Sequence, residues 1–140
     1  MKNPRNIIFI VDDDPDDRQV ILDAFLENNF NIDYLFIENG DILMETLASS
    51  PTEELPSLIL LDLNMPGMLG LQAIKEIKGN KGWKHIPIIV LTTSTLDKDR
   101  DSSYELGANC FLRKPESYTD LVTLTTSIVA LWFSECKITA

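Results

Sequence analysis

Five short apolar runs, each followed by a segment of helical character, restrict the fold of this chain more than any other feature. The first run is IIFIV and the third is LILL. Continuous runs rich in isoleucine, leucine and valine are typical of strands that are buried on both faces of a parallel sheet. Their regular alternation with helices predicts an α/β doubly wound domain.

The same pattern predicts where the elements lie. Strands are expected over residues 7–12, 34–37, 58–62, 88–91 and 110–113. Helices are expected from Pro15, after a cap at Asn39 or Asp41, and over 71–78, 97–106 and 118–133. The residues expected on the apolar faces of the first and last helices are Val20, Ile21, Ala24, Phe25, Leu26, Leu121, Leu124, Ile128, Leu131 and Trp132.

Composition and charge exclude several classes of protein. No apolar stretch approaches the roughly 18 residues of a membrane span. The apolar run near the start is only five residues long and ends in acids, so we expect no signal peptide and a cytoplasmic location. A formal net charge of −10 argues against nonspecific nucleic-acid binding and against an anionic membrane surface as partners.

Thiol and imidazole side chains are few. Cys110 and Cys136 are far apart and lack metal-ligand spacing, and His85 is the only histidine. This pattern excludes a zinc site and histidine-based catalysis within the chain. Cys110 stands next to an apolar pair, and we expect it to be a small buried core residue.

Acidic residues directly follow two of the predicted strands. Asp12 and Asp13 end the first strand, and Asp62 ends the third. Functional groups gather at the carboxyl ends of parallel strands where the strand order reverses, so the three carboxylates converge if these strands are neighbours. Each like-charge pair would repel by roughly 4 kcal/mol at about 4 Å. Such a site needs a cation, and an all-oxygen ligand set favours Mg²⁺ over zinc or copper.

Two further strands end in residues that suit phosphoryl chemistry. Thr92 offers a hydroxyl donor after the fourth strand, and Lys114 offers a cation after the fifth. A carboxylate can attack a phosphoryl group to form an acyl phosphate. Mg²⁺ and Lys114 would neutralise the phosphoryl oxygens, while Thr92 would donate a hydrogen bond to one of them. Together these residue types predict reversible phosphorylation.

Four motifs in a fixed order carry a resemblance to a known family: IIFIVDDD, LILLDLNMPGMLG, PIIVLTTS and GANCFLRKP. With this spacing the chain resembles the receiver domain of two-component response regulators, from about Ile7 to Phe133. The resemblance implies a single receiver domain over residues 1–140. It also implies a flavodoxin-like parallel sheet of strand order 2-1-3-4-5, flanked by five helices.

The resemblance assigns roles to the acidic residues and their neighbours. Asp62 matches the phosphoacceptor. Asp12 and Asp13 match the acidic pair that holds Mg²⁺, and Asn64 would add its backbone carbonyl. The family is a signalling one, so the chain would catalyse only its own phosphorylation and dephosphorylation.

The resemblance also assigns the switch. Thr92 matches the switch hydroxyl, and Phe111 matches the aromatic residue that swings inward on activation. Lys114 matches the family's cation, and the Lys114–Pro115 bond matches a peptide that is cis in the family. Thr93 stands where a smaller residue is more usual, which would slow access of the phosphoryl group.

The implied partners are proteins. The phosphoryl donor would be a phosphohistidine on a sensor histidine kinase or a phosphotransfer protein. The last predicted helix ends about seven residues before the terminus, so we expect output through a downstream protein target. The short format and the late tryptophan are similar to regulators paired with bacterial phytochrome kinases. The aromatic end of the last helix gives a motive for a homodimer through the face of the fourth helix, fifth strand and fifth helix.

Three alternatives make different demands on the sequence. A phosphatase with an aspartate nucleophile needs a second carboxylate two residues on, where this chain has Asn64. A nucleotide or flavin module needs a phosphate cradle after the first strand, where this chain has DDDPDD. A receiver-like interaction module that is never phosphorylated predicts damage to the acceptor or metal positions, and the sequence shows none.

Overall fold

A computed structural model describes residues 6–65 and 67–133, so Cys136 lies outside the described residues. Its five strands form one parallel sheet of order β2-β1-β3-β4-β5, as predicted. The elements are β1 Ile7–Val11, α1 Pro15–Leu26, β2 Asp33–Ile37, α2 Gly40–Ser49, a 3-10 turn Thr52–Glu54, β3 Leu58–Leu61, α3 Gly70–Lys78, β4 Ile88–Thr92, α4 Asp97–Glu105, β5 Cys110–Arg113 and α5 Tyr118–Trp132.

The sheet separates two apolar cores. Strand residues alternate between faces, so Phe9 packs on the side of α2 and α3, whereas Ile8 and Ile10 pack on the side of α1 and α5. β1, β3 and β4 are buried along their whole length, while the outer strands β2 and β5 are only partly covered. This layering explains the uninterrupted apolar runs of the central strands.

The ends of the helices follow local chemistry. Pro15 begins α1, and the Asp14 carboxylate caps it by accepting from two backbone N–H groups. Asn39, one of the two predicted residues, caps α2. Gly107 follows α4 with a φ of 110°, a left-handed conformation that favours glycine.

The buried stripes of α1 and α5 are narrower than predicted. Val20 and Leu26 are 43% and 59% exposed, and Leu131 is 77% exposed, so the predicted apolar faces are wrong for these three residues. α5 instead buries Thr125, whose hydroxyl donates to the Val122 carbonyl at 3.0 Å and so needs no partner from the core. Periodicity locates a helix face, but it does not fix how wide that face is.

Cys110 is less buried than the sequence predicts. Cys110 is only partly buried, because β5 is an outer strand and packs on one side. The prediction of a fully buried cysteine is therefore wrong in degree.

Among residues 6–65 and 67–133, no helix has both the length and the apolarity that crossing a bilayer requires.

Candidate functional site

The three predicted carboxylates meet at the carboxyl edge of the sheet. β1 and β3 are neighbours with Val11 opposite Leu61, so Asp12 and Asp62, the next residues, emerge side by side. The backbone N–H of Asp62 donates to the Val11 carbonyl at 3.0 Å and extends the ladder to this point. Carboxylate oxygens of Asp12, Asp13 and Asp62 all lie within 4.8 Å of one another.

The donor set of this cluster suits a hard divalent cation. It consists of oxygen atoms alone, without imidazole or thiolate, and this chemistry favours Mg²⁺, Mn²⁺ or Ca²⁺ over zinc. Asp12 and Asp62 are buried, whereas Asp13 is exposed. The exposed carboxylate leaves the cluster open on one side, so an ion can reach it from solvent.

Lys114 supplies positive charge to the same cluster. Its Nζ lies 2.7 Å from Asp12, 3.1 Å from Asp17 and 3.8 Å from the Asp62 carboxylate. Burial by itself lowers the pKa of Lys114, but the hydrogen bonds and charges of the surrounding carboxylates raise it above its ordinary value. Lys114 therefore stays protonated and bridges the two strand ends.

The electrostatic balance at Asp62 is different. Burial raises the pKa of Asp62, and the neighbouring Asp12 charge raises it further. Lys114 and the hydrogen bonds from the Asn64 backbone and the Thr92 hydroxyl lower it, but they do not cancel the increase. Ionised Asp62 is thus under-compensated by the protein alone, which is the condition that a bound cation would relieve.

Thr92 and Phe111 face the same side of the sheet on neighbouring strands. Val90 pairs with Phe111, so Thr92, two residues further along β4, faces the same side. Thr92 is fully buried, and its Oγ1 accepts a hydrogen bond from the Ser94 backbone at 3.3 Å. Phe111 is partly buried and lines a groove of about 290 Å³ that also contains Leu96.

One prediction that came from the resemblance is wrong. The structure has no cis peptide bond among the described residues, so the Lys114–Pro115 bond is trans. The backbone N–H of Lys114 donates to the Thr92 carbonyl at 2.8 Å, which continues the pairing of β5 with β4. From that position the side chain reaches Asp12 without a cis bond.

Residues of α1 also contribute to the site, and sequence reasoning missed them. Asp17, in the first turn of α1, pairs with Lys114 at 3.1 Å. Arg18 donates from Nη1 to the Asp12 carbonyl at 2.9 Å, and its guanidinium lies 5.6 Å from the ring of Phe36. The sequence feature that could have indicated these contacts is the position of Asp17 and Arg18 in the first turn of a helix that directly follows the acidic pair.

Comparison with known proteins identifies the family. The model of the response regulator receiver domain matches residues 8–126, and the chain belongs to this family. It is a signalling family, and the strand order and helix arrangement described above are those of its solved members.

Individual relatives match over nearly their full length. Response regulator Rcp1 of Synechocystis sp. (strain ATCC 27184 / PCC 6803 / Kazusa) is 33% identical over 141 residues, covering 99% of this chain and 96% of Rcp1. The crystal structure of Mn²⁺-bound Rcp1 has a TM-score of 0.82 at 32% identity, covering 96% of this chain and 99% of that one. The phosphorylated cyanobacterial phytochrome response regulator RcpA has a TM-score of 0.85 at 29% identity, covering 97% and 99%.

Proposed function

We propose that this chain, a receiver domain over residues 1–140, accepts a phosphoryl group on Asp62. The observation that carries the proposal is the grouping of Asp62 with Asp12 and Asp13 within 4.8 Å, and with Lys114 at 3.8 Å. A nucleophilic carboxylate needs neighbouring cations to approach an anionic phosphoryl group, and this grouping provides for them.

Mg²⁺ is the proposed cofactor. The carboxylates of Asp12, Asp13 and Asp62 and the backbone carbonyl of Asn64 would hold it, and the oxygen-only cluster fits that ion. When bound, Mg²⁺ supplies positive charge that offsets the negative charge of the phosphoryl oxygens. The Mn²⁺-bound form of Rcp1 supports a divalent ion in a relative of this chain.

Three side chains of the chain have different roles in the phosphoryl transfer. An Asp62 oxygen forms a P–O bond while the P–N bond of the donor phosphohistidine breaks, and the released imidazole takes up a proton. Lys114, already 3.8 Å from Asp62, would pair with one phosphoryl oxygen, and the Thr92 hydroxyl would donate to another. Each contact is charge-assisted and lies within a largely buried pocket.

Signalling would follow from the movement of Thr92 and Phe111. When the Thr92 hydroxyl turns to the phosphoryl group, the space it leaves would admit the Phe111 ring and shift the surface of α4, β5 and α5. Moving a two-state equilibrium from 1:99 to 99:1 takes about 5.5 kcal/mol of differential stabilisation. Several charge-assisted hydrogen bonds to the phosphoryl group are of that order.

The proposed partners are proteins in the cytoplasm. The donor is a sensor histidine kinase or phosphotransfer protein, and likeness to RcpA, a phytochrome response regulator, supports a phytochrome kinase. The target is a downstream protein, reached through the face of α4, β5 and α5, which would also serve a homodimer. Neither nucleic acid nor a membrane surface is proposed as a partner, given the net charge of −10.

Mass spectrometry of the intact protein tests the acceptor. Incubation with acetyl phosphate and Mg²⁺ should add about 80 Da, the mass of one phosphoryl group. Asp62→Asn should abolish this gain, whereas Asp16→Asn, the same chemical change at an exposed carboxylate of α1, should retain it. An unmodified wild-type protein under every reactive donor would instead favour an interaction module that is never phosphorylated.

A further inference from the structure

Helix α4 is held to the sheet by few apolar contacts. Of the residues Asp97–Glu105, all of them described, Ser103 alone is buried. A helix with so little apolar burial has low local stability, and polar contacts at its ends carry more weight in fixing its position. The side chains that tie α4 to neighbouring elements are therefore the ones to consider.

The first turn of α4 is linked to Thr92. Thr92 Oγ1 accepts from the Ser94 backbone N–H at 3.3 Å, and the Ser94 hydroxyl donates to Asp99 Oδ2 at 2.5 Å. Asp99 belongs to α4. A displacement of Thr92 Oγ1 towards a phosphoryl group on Asp62 would lengthen its bond to the Ser94 N–H and so disturb the contact of Ser94 with Asp99.

The last turn of α4 is linked to Phe111. β5 is an outer strand, so its N–H groups that point away from β4 find no strand partner. The N–H of Phe111 donates instead to the hydroxyl of Tyr104, at 3.0 Å. Tyr104 thus satisfies the open edge of β5 at the residue proposed to move, while 46% of its own surface stays exposed.

We infer that Tyr104 is a positioning residue of the switch, an inference that rests on the proposed function. Its hydroxyl ties the Phe111 backbone to α4 in the unphosphorylated protein, so α4 is attached to Thr92 at one end and to Phe111 at the other. When both residues rearrange, the first turn of α4 moves with the Ser94 contact. The bond from the Phe111 N–H to the Tyr104 hydroxyl belongs to the resting arrangement, and it breaks when Phe111 moves inward.

Tyr104→Phe removes this hydroxyl and keeps the ring. Because the lost bond stabilises only the resting arrangement, the ratio of activated to resting protein should rise about fivefold, the equivalent of about 1 kcal/mol. Beryllofluoride with Mg²⁺ is a phosphoryl mimic that should prefer the activated arrangement. Its apparent affinity should therefore tighten by the same factor.

Tyr118→Phe is the matched control. Tyr118 is 43% exposed, and its hydroxyl donates to Glu27 at 3.1 Å, which joins α5 to α1 rather than α4 to β5. The change is chemically identical, so a general effect of removing a surface phenol would appear in both variants. We expect the beryllofluoride affinity of Tyr118→Phe to equal that of the wild type.

The test is a titration of the three proteins with beryllofluoride and Mg²⁺. Amide NMR signals of Phe111 and of α4 report the binding. Tighter binding by Tyr104→Phe alone, with its free Phe111 amide signal displaced towards the bound position, supports the inference. Equal affinity in the wild type and Tyr104→Phe overturns it and leaves the proposed function intact. A wild-type protein that binds no beryllofluoride overturns the proposed function and this inference with it.

Discussion

Asp62 combines burial with a nearby like charge, and this combination makes its ionised form costly. Its pKa is raised above the ordinary value of 3.8, chiefly by burial and then by Asp12, against the opposing effect of Lys114. Between 3.8 and the raised pKa, the folded state binds more protons than the unfolded state. The free energy of unfolding therefore falls as pH rises through that window.

Asp62→Asn removes this titration. At neutral pH without a divalent ion, we expect the variant to unfold with a free energy higher than that of the wild type, on the order of 1 kcal/mol. The difference should shrink as pH falls towards 3.8, where wild-type Asp62 is protonated. Urea unfolding at a series of pH values measures it.

Asp101→Asn is the control for that series, because Asp101 is exposed and pairs only weakly with Arg100. Its free energy of unfolding should stay within about 0.5 kcal/mol of the wild type. A loss of stability in Asp62→Asn at neutral pH would show that the attraction to Lys114 outweighs burial.

Lys114 is expected to affect the rate at which Asp62 is phosphorylated. Lys114→Ala removes the cation 3.8 Å from Asp62. The rate of phosphorylation by acetyl phosphate should fall about a hundredfold, the scale of losing one preorganised donor to a developing oxyanion. Quenched samples read by intact mass give the rate.

Lys98→Ala, the same change at an exposed residue of α4, should leave that rate unaltered. Equal rates in the wild type and Lys114→Ala would mean that Lys114 serves the fold and not the transfer.

Sequence reasoning at the residue scale succeeded where a side chain follows a strand directly. The strand end fixes the position of Asp12, Asp62 and Lys114, because parallel neighbours end at one edge. Asp17 and Asp99 could not be found in this way. Their contacts depend on how far a helix turn reaches across the site, which no local pattern records.

At the scale of elements, the start of α3 is set by a close approach that only glycine allows. A Cβ on Gly70 would lie 2.6 Å from the Leu63 Cα and 2.7 Å from the Asp62 carbonyl oxygen. Gly70→Ala must push α3 away from the strand end that carries Asp62. We expect the free energy of unfolding to fall by about 2–3 kcal/mol and the phosphorylation rate to fall with it.

Gly82→Ala is the matched control for Gly70→Ala. A Cβ there would meet only the Asn80 side chain, at 3.3 Å, so its free energy of unfolding should change by less than about 0.5 kcal/mol. Thermal and urea unfolding of both variants provide the comparison. Equal stabilities for the two would contradict the assignment of Gly70 as a contact between α3 and the site.

The order and type of the elements were predictable, because each strand is a separate apolar run and most of the helices carry apolar residues at helical spacing. The strand bounds differ by one residue at most. Helix surfaces were harder to predict. Val20 and Leu131 resemble core residues in sequence, but their exposure depends on the angle at which each helix lies on the sheet.

At the scale of the whole molecule, negative charge is concentrated at one edge of the sheet in a chain that carries −10 overall. Mg²⁺ should therefore raise the free energy of unfolding of the wild type. The increase should be about 1.4 kcal/mol at a free concentration of about ten times the dissociation constant. Asp13→Asn should lose this gain and change little without the ion, because Asp13 is exposed.

Asp16→Asn should keep the full effect of Mg²⁺, since Asp16 lies outside the cluster. Thermal unfolding at several concentrations of Mg²⁺ measures the stabilisation. If Mg²⁺ stabilises the wild type and Asp13→Asn equally, the ion binds elsewhere.

The topology of the molecule came from the resemblance rather than from the pattern of apolar runs. Alternating strands and helices define a doubly wound sheet, but several strand orders satisfy the same pattern. The observed order 2-1-3-4-5 confirms the resemblance. The trans Lys114–Pro115 bond departs from the resemblance.

A crystal structure with Mg²⁺ and beryllofluoride tests the central claim most directly. We expect one ion held by Asp12, Asp13, Asp62 and the Asn64 carbonyl, with the beryllofluoride on an Asp62 oxygen and Lys114 beside it. An ion bound elsewhere, beryllofluoride on another residue, or the three carboxylates turned away from one another would contradict the claim.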